Sequence, residues 1–77
     1  MSKYSDIGEK VLACVGGKDN VSSFTHCVTR LRFILKDKSA YDEAAMKGIA
    51  GVLGTQWAGE QLQVVVGQTV DEVYDAM

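Results

Sequence analysis

One histidine and two cysteines are all that the 77-residue sequence offers by way of soft or borderline metal ligands. A metal centre of the usual four-ligand kind is therefore not expected, since His26, Cys14 and Cys27 fall short of the set and Cys14 lies on a separate predicted element. Nothing in the chain calls for a cofactor either. A disulfide-stapled scaffold is also disfavoured: Cys14 and Cys27 have no richer cysteine framework around them, which fits free thiols in a reducing compartment. Charge of one sign is scarce. Eight basic residues stand against ten acidic ones, for a net charge of −2, which argues against nucleic acid as the main partner. No apolar run is long enough to cross a bilayer, and no signal-peptide pattern opens the chain. Internal repeats, low-complexity segments and linkers are lacking too. What remains is 47% apolar, enough for one small domain with one modest core.

The chemistry concentrates in Thr25-His26-Cys27-Val28-Thr29-Arg30-Leu31-Arg32-Phe33. A thiol reacts as its thiolate, and nearby cations favour that form. Guanidinium forks match a phosphoryl or carboxylate group and keep their charge at any working pH. A thiol followed by paired arginines therefore reads as a place where a phosphoryl group is received on sulfur, or where an anion is held beside it. From Arg30 to Lys36 the chain alternates, with Leu31, Phe33 and Leu35 on one side and Arg30, Arg32, Ile34 and Lys36 on the other. Residues two apart in a strand share a face, roughly 6–7 Å apart. Arg30 and Arg32 should thus point the same way off an uncovered sheet face, close to the turn that holds Cys27.

The rest of the chain frames this segment. Residues 5–15 read as a helix, with Ser5 as its cap, Asp6 and Glu9 in its first turn, and Ile7, Val11, Cys14 and Val15 on its apolar side. Gly16-Gly17 ends it. A strand over 21–25 and a second over 29–36 are joined too closely for a parallel crossover, so they pair antiparallel. Ser39-Ala40-Tyr41-Asp42 matches a capping box before a short helix that Gly48 terminates. A third strand over 52–57 and a fourth over 61–66 flank a hairpin loop at Ala58-Gly59-Glu60. Leu62, Val64 and Val66 form the buried side of the fourth strand, and Gln63 would share the open face with the arginines if these strands are neighbours. Thr69-Val70-Asp71-Glu72 matches a second capping box, opening a last helix with Val70, Val73, Tyr74 and Met77 on one face. The order αββαββα implies an α+β fold: a two-layer open-faced sandwich, its four-stranded, mostly antiparallel sheet carrying three helices on one face. Trp57 is expected to pack beside the sheet, Tyr41, Met46 and Met77 in or at the edge of the core, and Asp71, Glu72 and Asp75 on a solvated helix face.

Cys27-Val28-Thr29-Arg30-Leu31-Arg32-Phe33, preceded by Gly16-Gly17-Lys18-Asp19-Asn20-Val21, closely resembles the phosphocysteine signature of enzyme IIB domains. These belong to the bacterial phosphoenolpyruvate-dependent sugar phosphotransferase system, in its glucose/sucrose/beta-glucoside group. The likeness continues through Gly51-Val52-Leu53-Gly54 and Gln63-Val64-Val65-Val66-Gly67, and so covers nearly the whole chain. The resemblance implies the same open-faced sandwich. It also implies that Cys27 takes a phosphoryl group from a phosphohistidine on a IIA domain and passes it to a sugar held by a membrane-embedded IIC domain. On that reading residues 1–77 are a single IIB domain, the N-terminal piece of a larger IIBC or IIBCA protein, lying on the cytoplasmic side of the membrane and monomeric when isolated. IIC would choose the sugar, with a glucoside, sucrose or trehalose type favoured over glucose.

Within that reading each site residue has an expected part. Cys27 is the nucleophile and carrier. Backbone amides of Val28, Thr29 and Arg30 form an anion-binding nest, to which the Thr29 hydroxyl can add a bond. Arg30 and Arg32 steady the charge, and in the family these positions are implicated in delivery to sugar. Thr25, His26 and Gln63 are second-rank candidates. Adjacent residues of a strand face opposite ways, which sets His26 apart from Cys27; family members vary at this position, so the resemblance implies no general-base role for it. Val28 and Ile34 are expected to contribute to an apolar docking rim for IIA. A protein-tyrosine-phosphatase loop fails on spacing, because the sixth residue after Cys27 is Phe33, not arginine. A redox thiol lacks a resolving cysteine two or three residues away. A regulatory IIB-like sensor module stays open on sequence alone.

Overall fold

The computed structural model describes residues 3–77. Its elements in chain order are α1 (Lys3–Cys14), β1 (Val21–His26), β2 (Arg30–Leu35), α2 (Glu43–Lys47), β3 (Gly54–Ala58), β4 (Gln61–Val65) and α3 (Val70–Ala76). Single 3-10 turns at Lys18–Asn20, Lys38–Ala40 and Gly67–Thr69 lead into β1, α2 and α3. The sheet runs β1-β2-β4-β3, and all three pairings are antiparallel. This is the open-faced α+β sandwich that the alternation of the strands implies.

The alternation of β2 decides which face is which. Leu31 and Phe33 are fully buried and Leu35 nearly so, while Arg30, Arg32 and Ile34 between them are half-exposed. Leu62 and Val64 of β4 continue the buried face, which packs against Val11 of α1 and Val15 just after it, Met46 of α2, and Val70 and Val73 of α3. Phe24 extends it, its ring stacked on Phe33 with centroids 4.7 Å apart. Burying side chains of this size contributes about 1.5–3 kcal/mol each, so the core fixes the sheet's polarity far more firmly than any surface pair. Among the described residues no helix is long and apolar enough to cross a membrane.

The helix starts differ from the sequence expectation. α1 begins before Ser5, which lies within the helix and does not cap it; Tyr4 packs against the core and draws the first turn upstream. Ser39 is not a cap either. Its hydroxyl donates to Asp37 Oδ1 at 2.6 Å, and Asp37 also accepts from the Ser39 amide at 2.9 Å. The cap of α2 is Asp42, whose carboxylate accepts from Ala45 N at 3.0 Å. Where a carboxylate and a hydroxyl compete for an orphan amide, the charged acceptor makes the stronger bond. At α3, Thr69 Oγ1 donates back to Val66 O at 3.3 Å, so that box does not form. Asp42→Ala should cost about 1 kcal/mol, lowering the melting temperature by roughly 4–8 °C for a domain of this size; Ser39→Ala should cost less. Thermal melts followed by circular dichroism would check the pair.

Three connections set how the elements meet. α1 ends at Gly16 and Gly17, with φ of 96° and 90°, and a Cβ at Gly16 would come within 2.9 Å of the Ala40 side chain. The third strand begins at Gly54, two residues later than expected, because Val52 turns inward to join Ile49 in the core. The β3–β4 turn is Gly59-Glu60 alone, since Ala58 and Gln61 already pair. Asn20 does more than fill a turn. Its side chain donates to Val15 O at 2.7 Å and Asp37 O at 2.9 Å, and accepts from Asp37 N at 2.9 Å, tying the end of α1 to the segment after β2.

Candidate functional site: a thiol among amides and a guanidinium

Cys27 lies just past the last paired residues of β1 and β2, His26 and Leu31. Its own amide donates to Arg30 O at 2.9 Å, closing a tight turn over 27–30. The Thr29 carbonyl accepts from Val66 N and Gly67 N, both at 3.0 Å, which pins the turn to the end of β4. With that carbonyl held, the amides of Thr29 and Arg30 face the Cys27 thiol. The Thr29 amide does most to lower the thiol pKa, and the Arg30 amide and Arg32 guanidinium add to it. Partial desolvation opposes them, and the balance lowers the thiol from its ordinary 9.0 to about 7. Cys14 shows the contrast: it is buried on α1, and desolvation, with Asp42 nearby, pushes its thiol up. Alkylation of the chain by iodoacetamide should therefore modify Cys27 first. The rate should climb with pH through a midpoint near 7 and level off above it, because the thiolate is the reacting form.

The two arginines share the open face but not the same contacts. Arg32 leans on the thiol. Arg30 reaches across the sheet, its Nη1 donating to Gln63 Oε1 at 2.6 Å and to Gln56 Oε1 at 3.4 Å. Gln63 is oriented in turn by donating from Nε2 to Gln61 Oε1 at 2.9 Å. Arg32, Gln63 and Gln56 stand side by side in the ladder, with Thr25 exposed on the other flank of Arg32. Gln63 is thus joined to the arginines as the alternation implies. Gln56 escaped the sequence reading, although pairing outward from a two-residue turn at Gly59-Glu60 places it opposite Gln63.

His26 lies on the helix side. Its ring meets Tyr74 of α3 at a centroid distance of 4.4 Å, and Nδ1 is 3.0 Å from the Cys27 carbonyl oxygen and 3.5 Å from Asp71 Oδ1. The Thr29 residue bears on the thiol through its amide. Among the described residues Val28 is the most exposed large apolar side chain, at 85%, followed by Leu53 at 74%. Leu53 belongs to the same end of the sheet, where its amide donates to Val65 O at 2.7 Å and its side chain lies beside Gly67. Ile34 is half-buried at the far end of β2, paired with Ser23 and Gln61.

Fold and site together define a small α+β domain with one anion-ready cysteine at the turn of its β1–β2 hairpin. The family model for the phosphotransferase system EIIB component matches residues 9–42. The arbutin-, cellobiose- and salicin-specific EIIBC component of Escherichia coli K12 is 44% identical over 71 residues, which is 92% of this chain and 15% of that protein. The beta-glucoside-specific EIIBCA component of Bacillus subtilis 168 is 40% identical over 74 residues, 96% of this chain and 12% of that protein. The crystal structure of one domain of the phosphotransferase system IIabc component from Clostridium difficile superposes with a TM-score of 0.90 at 32% identity, over 96% of this chain and 78% of that one. The chain belongs to the phosphotransferase system EIIB family. It spans under a sixth of the length of these curated relatives, which are fused EIIBC or EIIBCA components.

Proposed function

We propose that this chain is the phosphoryl carrier of a bacterial sugar uptake system, with Cys27 as the residue that carries. The observation that supports this best is the thiol held near pKa 7 by the Thr29 and Arg30 amides and Arg32. The thiolate attacks phosphorus of a phosphohistidine on a IIA domain; the S–P bond forms as the N–P bond breaks, and the imidazole leaving group takes up the proton that the thiol released. In the second step a sugar hydroxyl attacks phosphorus, the S–P bond breaks, and the hydroxyl proton is lost as sulfur leaves as thiolate. Such transfers depend on positioning and on holding charge more than on covalent chemistry by the protein. The amide nest suits the carried dianion without neutralising it fully, so the group stays transferable. Val28 and Leu53, exposed beside the cradle, suit an apolar docking rim, and Ile34 extends the same face further off.

The acceptor is a sugar bound by a IIC domain in the same parent, at the cytoplasmic side of the membrane, as fused EIIBC and EIIBCA relatives suggest. Their names favour a glucoside type of sugar. The test is intact mass after incubation with phosphoenolpyruvate, enzyme I, the histidine carrier protein and a glucose-family IIA domain. One added phosphoryl group on the chain is expected. No addition, with a IIA shown active on another IIB, would overturn the carrier reading.

A further inference from the structure

The contact between His26 and the Cys27 carbonyl carries a consequence for the cradle. A carbonyl oxygen can only accept, so at 3.0 Å the ring must present Nδ1–H, and the neutral tautomer is fixed by the bond. The carbonyl and the next amide of a trans peptide point in opposite directions. With the Cys27 carbonyl turned to the helix side, the Val28 N–H faces the other way, toward the side on which Arg32 reaches the thiol. If that peptide were free to turn over, it would bring a carbonyl dipole against the thiolate and disturb the turn that carries the Thr29 and Arg30 amides.

We propose that His26 is a positioning residue for the cradle: by holding the Cys27 carbonyl, it fixes the first peptide of the turn over 27–30 and keeps that carbonyl dipole away from the sulfur. The inference rests on the reading of Cys27 as the working thiol. The ring itself is held by α3. Tyr74 packs on it, and Tyr74 is seated in turn against Phe24 at 4.7 Å, which stacks on the buried Phe33. The Asp71 carboxylate is a second, weaker acceptor for the same Nδ1–H at 3.5 Å. The last helix of the chain is thereby connected to the turn that bears the thiol, through an aromatic column. His26 neither touches the transferred group nor takes a proton from the thiol.

The test compares thiol reactivity with iodoacetamide across pH for wild type, His26→Phe and His26→Asn. Phenylalanine keeps the packing on Tyr74 and removes the donor. Asparagine can place its side-chain N–H near the position of Nδ1. His26→Phe should raise the apparent thiol pKa by about half to one unit, the scale of one loosened hydrogen bond to a charged form. His26→Asn should restore most of the wild-type profile, a rescue that packing alone would not give. An unchanged profile in His26→Phe, or an equal shift in both variants, would overturn the proposal. Ring 15N spectra of the wild type need no variant: neutral His26 should show Nδ1–H, and a dominant Nε2–H form would equally overturn it. Because alkylation needs no phosphoryl donor, these outcomes stay separate from the carrier reading. Wild type that reacts as expected yet accepts no phosphoryl group would sink that reading and leave the role of His26 at the thiol standing.

Discussion

Cys27→Ser is expected to abolish phosphoryl acceptance, by about 10⁴-fold or more, the scale on which loss of a nucleophile registers. The cradle shows why oxygen cannot replace sulfur. The Thr29 and Arg30 amides with Arg32 lower the thiol from 9.0 to about 7, so a large fraction is thiolate at neutral pH. An alcohol starts so far above the working range that the same lowering leaves it protonated and a poor nucleophile. A general base beside it would be needed, and the one histidine is turned to the helix side with its Nδ1–H on a backbone carbonyl. Serine would also leave the fold unharmed, because Cys27 lies outside the core cluster. The check is intact mass on wild type and variant side by side, with the donor chain of enzyme I, carrier protein and IIA. Phosphorylation of the serine variant at a comparable rate would move the carrier to another residue.

Much of this molecule is legible in its sequence, and the pattern of what is not has physical causes. The Leu31, Phe33, Leu35 alternation sets the polarity of the sheet because burial of those side chains outweighs local preferences. That puts Arg30 and Arg32 on the open face, and the alternation of the fourth strand adds Gln63 once the two strands are neighbours. Helix caps were harder to place. Ser5, Ser39 and Thr69 all match cap patterns, yet Tyr4 draws one helix past its cap, Asp37 and Asp42 outcompete Ser39, and Thr69 bonds back to Val66. Such local contests are decided by neighbours that a pattern does not weigh. His26 was legible only by half. Alternation separates it from Cys27, but its bond to the Cys27 carbonyl depends on where α3 docks Tyr74 and Asp71. The different tasks of the arginines are likewise absent from the linear text, because they arise from the β3–β4 register that brings Gln56 and Gln63 into line.

Those different tasks give the second large effect. Arg30→Lys and Arg32→Lys should each slow delivery of the phosphoryl group to sugar by about 10²-fold, the scale of losing one well-placed donor at a charge-developing centre. Acceptance from IIA should change only a few-fold. For Arg32 the argument runs through the thiol: the guanidinium acts there after the Thr29 amide, and lysine keeps the charge. What lysine lacks is the planar fork that can hold two oxygens of a departing phosphoryl group. For Arg30 it runs through the sheet. One edge of its guanidinium is fixed by Gln63 and Gln56, which leaves the rest of the fork preset above the open face. An ammonium in its place would hold either the glutamines or the incoming group without fixed geometry. Gln63→Leu should therefore slow delivery in the same way, by part of the Arg30 effect. Single-turnover chase of the phosphorylated chain, by sugar and membranes containing IIC, separates delivery from acceptance. Lysine variants that hand on the group at the wild-type rate would show that charge alone suffices, and the fork would have no part in the transfer.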